Sequence, residues 1–523
     1  MRTGSLAALV VTLVGTFAAS ASWAGMLEGT VRLGGIFVDE EGAPSTVQET
    51  YNLYDGFSVS QIHLGGLVDP RNYFLIDLRD LNLDSRQGEL VYRRPGVLKL
   101  TAGYDRHRQV FSPDRGVDAR REDWKAGAEV TAARWLNLSG SFNQLGRVGD
   151  RLAYPAGSVS LLGSEYDNSL KTGEVTAEVR RGRHGGAISY RTSLYTDELN
   201  ATSDRTGQVV SARLYTPCKF YDKWTHLLRG AYGVHKATDG GLDYKLADFQ
   251  YTGVIQTTPA LQLKYGFNGR RVDDESTRLK TDRFCNDLDA TYTYPNGHVS
   301  AGYGYETNDD DRSLTSAQSW RTGTSYHRGK ILSAKVDYAG RVKKDQEELT
   351  LLKDVEASRV SARLQVRPVA DLVLGAGYVK RTRDLPDIGV QTDGDIVNAF
   401  GRWSRSGWGA LSGDYSVTTD SYTGRAGDFD TRTLLATGRA DVERIRNLRL
   451  SGGVTWLDIG RDLDIEKSLV FVEGAYSLFA GYRLEAKYNA YNYDDYILLN
   501  RYYTANVVQI NVAYDFHTKG ETK

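Results

Sequence analysis

Over most of this chain apolar residues fall on every second position, and that pattern restricts the fold more than any other feature. The last such segment is the clearest. Val508, Ile510, Val512, Tyr514 and Phe516 share one parity, while Gln509, Asn511, Ala513 and Asp515 share the other. A period of two is the signature of a β-strand with two unlike faces. The same alternation recurs in Leu484 to Ala490, Val360 to Val366, Leu332 to Tyr338 and Val175 to Val179. After the first two dozen residues there is no apolar stretch of eighteen, which excludes helical membrane spans.

The first residues differ in kind. Arg2 precedes an apolar run from Leu6 to Phe17, followed by small residues and Ala24 at a plausible cleavage point. This is the layout of a secretory signal, expected over residues 1–24. The mature chain is then expected as a barrel domain over 25–516 with a short periplasmic tail at 517–523. Mean hydropathy is −0.44. A membrane barrel has that average because lipid-facing and lumen-facing residues cancel. Thirty-three Tyr, 55 Gly and only 10 Pro suit strands and membrane-water girdles. A net charge of −1 gives no reason to expect nucleic acid as a partner.

Turn chemistry punctuates the strands. Tight connections are expected at Arg94-Pro95-Gly96, Pro295-Asn296-Gly297, Arg328-Gly329 and Arg405-Ser406-Gly407. Long ones are expected at Val110 to Glu122, Arg147 to Asn168, Asp197 to Thr206, Asp273 to Asp282, Thr307 to Ser316 and Lys380 to Thr392. Together these predict an all-β fold, a large transmembrane antiparallel up-and-down barrel of about 26 strands, in the outer membrane of a Gram-negative cell. An open edge cannot survive in lipid, so the first strand, near Leu27–Val38, should pair with the last, near Tyr503–Phe516. Val508, Ile510, Val512 and Tyr514 should then meet lipid.

The other parity should line the lumen. It carries Glu129, Glu174, Glu178, Arg180, Lys335, Asp337, Arg359, Arg363, Arg367, Arg439, Asp441, Arg483, Glu485 and Lys487. Strands about 4.8 Å apart and tilted by about 40° close 26 strands at a diameter of about 50 Å. An empty bore of that width would abolish the membrane barrier. A TonB-dependent transporter fills its barrel with an N-terminal plug, whereas here strands are expected from Leu27 onward. A separate protein guest, touching the fourteen charged residues, is therefore the expected filling.

The segment Gly88-Glu89-Leu90-Val91-Tyr92-Arg93-Arg94-Pro95-Gly96-Val97-Leu98-Lys99-Leu100-Thr101-Ala102-Gly103-Tyr104-Asp105, the strand number and the Pro-containing turns such as Arg367-Pro368 resemble the MtrB/PioB family of decahaem-associated outer-membrane barrels. The resemblance implies a barrel that sheathes a periplasmic multihaem c-type cytochrome for extracellular electron transfer. It also implies a second cytochrome on the outer surface. Haem would belong to the partner, since this chain has no CxxCH and binds none covalently. The family's N-terminal CxxC is missing here.

Two other classes are weighed. A wide porin for passive diffusion of solutes has an equally polar wall. An enzyme is not expected, because the eight His show no metal-ligand spacing and no nucleophile-base arrangement stands out. Cys218 and Cys285 fall toward opposite rims of the expected barrel, too far apart to pair, so both should be free thiols.

Overall fold

The computed structural model describes residues 27–42, 55–69, 71–112, 117–153, 160–199, 203–218, 223–238, 243–310, 313–346, 354–424, 427–479, 481–496 and 501–518. The expected signal segment, 1–24, lies outside the described residues. So do residues 519–523 of the expected tail.

The fold is a closed antiparallel β-barrel of 26 strands. The order begins β1 (Leu27–Gly42), β2 (Gly56–Asp69), β3 (Asn72–Arg79), β4 (Arg86–Arg94), β5 (Leu98–Ser112) and β6 (Val117–Ala133). It continues β7 (Leu136–Ala153), β8 (Ser160–Arg181), β9 (His184–Asp197), β10 (Arg205–Pro217), β11 (Trp224–Ala237), β12 (Tyr244–Gln256) and β13 (Leu261–Asp274). Next are β14 (Leu279–Tyr294), β15 (Gly297–Asp309), β16 (Leu314–Arg328), β17 (Leu332–Asp345), β18 (Val355–Val369), β19 (Leu372–Leu385) and β20 (Val390–Arg405). The last six are β21 (Gly409–Thr423), β22 (Phe429–Val442), β23 (Leu448–Arg461), β24 (Ile465–Ser477), β25 (Tyr482–Asp495) and β26 (Arg501–Thr518).

Each strand pairs with its neighbours in sequence, and β1 closes the ring against β26 from Leu27↔Thr518 to Gly42↔Tyr503. The expected first-to-last pairing is therefore present, and Leu27 and Thr518 lie together at one end of the barrel, its terminal end. The turns at this terminal end are tight. Val97, Ile331 and Trp408 donate their amides to the carbonyls of Arg94, Arg328 and Arg405 at 3.0, 3.1 and 3.0 Å. Gly96, Gly329 and Gly407 inside those turns have φ of 73°, 56° and 74°, a region where side chains clash.

The far end differs from expectation. The long loops foreseen there are mostly strand. β7 and β8 run on to Ala153 and from Ser160, and β13 and β14 are separated by only four residues. Polar, charged residues keep pairing in the ladder where their lack of alternation reads as loop. Most strands have 13 to 18 residues, longer than the ~9–11 that a bilayer-crossing strand needs.

Candidate functional site: a paired-charge wall and its seam

The ladder registers settle which residues share a face. Glu129 pairs with Lys99, Glu174 with Ser141, Lys335 with Arg363, Arg439 with Ser412 and Glu473 with Lys487. Followed strand to strand around the ring, thirteen of the fourteen expected residues lie on one polar face. Arg367 is the exception. It sits in the irregularity between Val366 and Val369, with its amide bonded to the Ile331 carbonyl at 2.7 Å, so the ladder does not assign its side. The opposite face carries exposed Ile510, Val512 and Tyr514 beside Leu484 and Tyr488.

Charges on the polar face are mostly tied to one another. Residues two apart on a strand point the same way, and this spacing pairs Arg180 with Glu178 at 2.7 Å, Lys335 with Asp337 at 2.8 Å and Arg439 with Asp441 at 2.9 Å. Lys99 meets Glu129, and Lys487 meets Glu473, both at 3.1 Å across adjacent strands. Glu174 accepts a hydrogen bond from Thr176 at 3.3 Å, and Arg363 lies 5.5 Å from the Phe400 ring centre. Arg359 shares the face through its pairing with Ala339.

Some pairs reach over a whole strand, a distance of roughly 10 Å between the outer two. Arg213 on β10 bonds Glu178 on β8 at 3.1 Å, with Ala187 of β9 between them in register. Arg321 bonds Asp289 at 2.6 Å over Gly302, and Arg381 bonds Asp420 at 2.7 Å over Gly394. A Cβ on Gly302 would meet Arg321 Nε at 2.7 Å; one on Gly394 would meet Asp420 Oδ1 at 2.5 Å. Small residues here leave room for ion pairs that arch across a strand. Reading single strands misses these arches, because they appear only when three registers are aligned.

The densest polar cluster sits where the ring closes. Arg32 of β1 reaches Glu485 of β25 at 2.7 Å, across fully buried Ala513 of β26. Arg483 bonds the same Glu485 at 2.7 Å and Asp515 at 3.1 Å, and Thr30 donates to Asp515 at 2.7 Å. Ser60 donates to Asn511 at 3.1 Å, and Gln509 donates to Ser60 at 3.0 Å. A cavity of about 620 Å³ opens beside them, lined by Arg79, Asp80, Glu473 and Lys487 among others. Above it the 80–85 connection packs inward: Leu83 clusters with Ile36 and Val507, and Asn82 accepts the Val59 amide at 2.8 Å. The contacts that close this seam are not visible in local sequence, since Arg32–Glu485, Thr30–Asp515 and Ser60–Asn511 each join residues more than 450 apart. Both cysteines are free, Cys218 just after β10 at the terminal end and Cys285 on β14.

No family model matches the chain, and no curated protein matches it by sequence. Solved structures do match. The FrpB iron transporter from Neisseria meningitidis (F5-1 variant) is similar at 10% identity and a TM-score of 0.54, over 94% of this chain and 82% of that one. A ferric enterobactin receptor (PfeA) mutant from Pseudomonas aeruginosa, in complex with enterobactin, is similar at 10% identity and 0.53, over 94% and 81%. The siderophore receptor PirA from the same species is similar at 10% and 0.52, over 94% and 80%.

The likeness is one of fold, and it corrects the reading drawn from sequence. Solved barrels of this architecture bear the names of iron and siderophore receptors. The MtrB/PioB resemblance is overturned on that ground. With it go the periplasmic multihaem cytochrome as guest, the outer-surface cytochrome, haem in a partner, and electron transfer across the membrane. The passive porin is overturned likewise. The flaw was physical: bore width limits what fits inside a barrel but does not select a protein guest over a taken-up ligand. The neighbours' names are those of receptors and transporters, in keeping with a chain that is not an enzyme.

Proposed function

We propose that this chain is an outer-membrane uptake barrel whose polar wall handles a bulky, polar ligand of the metal-chelate kind. The apolar face meets lipid and the polar face, with its thirteen assigned charged positions, lines the lumen. The terminal end faces the periplasm and the overhanging far end faces outward. One observation carries the reading: a closed 26-stranded ring has one apolar parity and one ion-paired parity, in a fold similar to that of the iron and siderophore receptors. Pairing the wall charges suits this role, because a wall already neutral in pairs holds a polar ligand without trapping it.

The seam cavity is the favoured contact, since Arg79 and Lys487 offer exposed cations beside Asp80 and Glu473. Saturable quenching of tryptophan fluorescence by ferric enterobactin, measured on the folded barrel in detergent, tests it. Arg79→Ala with Lys487→Ala should weaken binding by about tenfold, the effect of losing charge-assisted contacts. Absence of saturable binding to ferric catecholate and ferric hydroxamate chelates by a folded barrel would sink the proposal. Recovery of the chain outside the outer-membrane fraction would sink its location.

A further inference from the structure

Charge is divided between the two ends of the barrel. Each connection can be counted with the strand residue on either side of it. The described residues of the terminal end then carry eleven Arg and Lys against three Asp and Glu. Those of the far end carry six against eighteen. The wall between them ties many of its cations into pairs, but the terminal rim does not. Arg134, Arg183, Arg328, Lys330, Arg405, Arg444 and Arg446 are exposed, and none forms an ion pair among the described residues.

The rim also exposes large apolar side chains in the same turns. The three turns closed by Val97, Ile331 and Trp408 are built alike, with arginine at the first position and an apolar residue at the fourth. Those apolar residues are 44%, 60% and 46% exposed, and Phe479 on another rim turn is 73% exposed. The Trp408 ring has Arg405 at 5.5 Å and Arg444 at 4.1 Å from its centre, with no carboxylate among the described residues paired to either guanidinium. A cation beside an exposed indole or aliphatic group suits the layer where phosphate headgroups meet acyl chains. A soluble acidic partner would use the cations and leave Ile331, Trp408 and Phe479 without a role.

We propose that the terminal rim is a seat for anionic phospholipid headgroups, which fixes the height and direction of the barrel in its membrane. The seat rests on the uptake reading only in taking the barrel to span a bilayer, and is independent of any ligand. The net-acidic far end completes the device. It would be repelled by the same headgroups, and the overhang of the ladder lifts it clear of them.

Lipid selectivity measures this directly. The folded protein is reconstituted in phosphatidylcholine vesicles containing a trace of spin-labelled phosphatidylglycerol or spin-labelled phosphatidylcholine. The motionally restricted fraction of each label is read by electron paramagnetic resonance. Phosphatidylglycerol should associate several-fold more strongly, and the excess should shrink as salt is raised. The triple variant R405Q/R444Q/R446Q should bring the ratio to about one, since each of the three basic residues carries an attraction worth roughly fivefold. R405K/R444K/R446K should keep it, which separates charge from misfolding, and Asp309→Asn with Asp310→Asn at the far end should leave it unchanged. A ratio of one in a correctly inserted wild-type barrel overturns the seat and leaves uptake standing. A ratio of one together with tight binding of poly-glutamate assigns the rim to an acidic protein and also overturns it. Failure to insert into any vesicle overturns the membrane reading itself.

Discussion

The seam and the wall opposite it solve the same problem by different means. Across β14 to β21 the barrel is a plain meander. Each strand folds back on its predecessor, the ladders run through thirteen or more pairs in most cases, and ion pairs arch over glycine. At the seam, β1 must find β26 across nearly the whole chain. There the structure adds apolar clusters, where the meander has single buried residues such as Thr315, Ala317 and Ser325. Tyr503, Ala505 and Ala513 are almost fully buried, as are Ser58 and Asn511, and Leu83 folds in against Ile36 and Val507. The difference teaches that local hairpins hold with backbone pairing and light side-chain contact, whereas a distant closure needs a packed core of its own. Loop-closure entropy is the physical reason, since joining distant segments costs more than turning a hairpin.

The largest effect should come from placing a charge on the apolar face. Val512→Arg at the seam and Val336→Arg on the opposite wall should each lose about 2–4 kcal/mol if they sit near the bilayer midplane. The seam variant should lose more, because closure fails with it. Urea unfolding in vesicles reads both, and equal losses would erase the distinction between the two regions. Ala513→Leu comes next. The site is fully buried between Arg32 and Arg483, so overpacking there should cost about 1–3 kcal/mol. Ala339→Leu on the exposed polar face of β17 should be nearly neutral by the same assay.

Gly302→Val tests the opposite wall on its own terms. It should break the Arg321–Asp289 arch and cost about 1–2 kcal/mol, with little effect from Gly146→Val, where a Cβ has open space. A similar loss at both positions would mean that strand glycines matter only for backbone freedom. The smallest effect should be Lys335→Ala. Its pair with Asp337 is exposed on both sides, and such pairs are worth about 0–1 kcal/mol. A loss near that of Ala513→Leu would show that the wall pairs carry structure as well as charge balance.

Much of this fold is legible in the alternation. Val508 to Phe516 announces β26, the strand number is 26, and the first and last strands meet. The far end is less legible because alternation fades along the last part of the ladder there. Segments such as Arg147 to Asn168 interrupt the alternation with Gly, Pro, Ser and charged residues, yet the backbone continues to pair into them from both sides. The polar parity of the wall is legible strand by strand. The arches over Ala187, Gly302 and Gly394, and the Arg32–Glu485 contact, are not, because they depend on registers that form only when the ring closes. The cargo is the least legible of all. A barrel's chemistry is spread over a wall of mixed charge with no compact motif, and bore size alone led to a cytochrome that the structural neighbours do not support.

The meander order has one more consequence. Since every pairing but the closing one joins consecutive strands, any internal hairpin is a removable unit. Excising β12 and β13 with their shared turn would bring β11 and β14 side by side as antiparallel neighbours, leaving 24 strands. Each hairpin adds about 4 Å of diameter at the usual spacing and tilt. Gain or loss of such a unit by duplication or deletion would resize the opening in fixed steps, with no need to redesign the two strands that lock the ring.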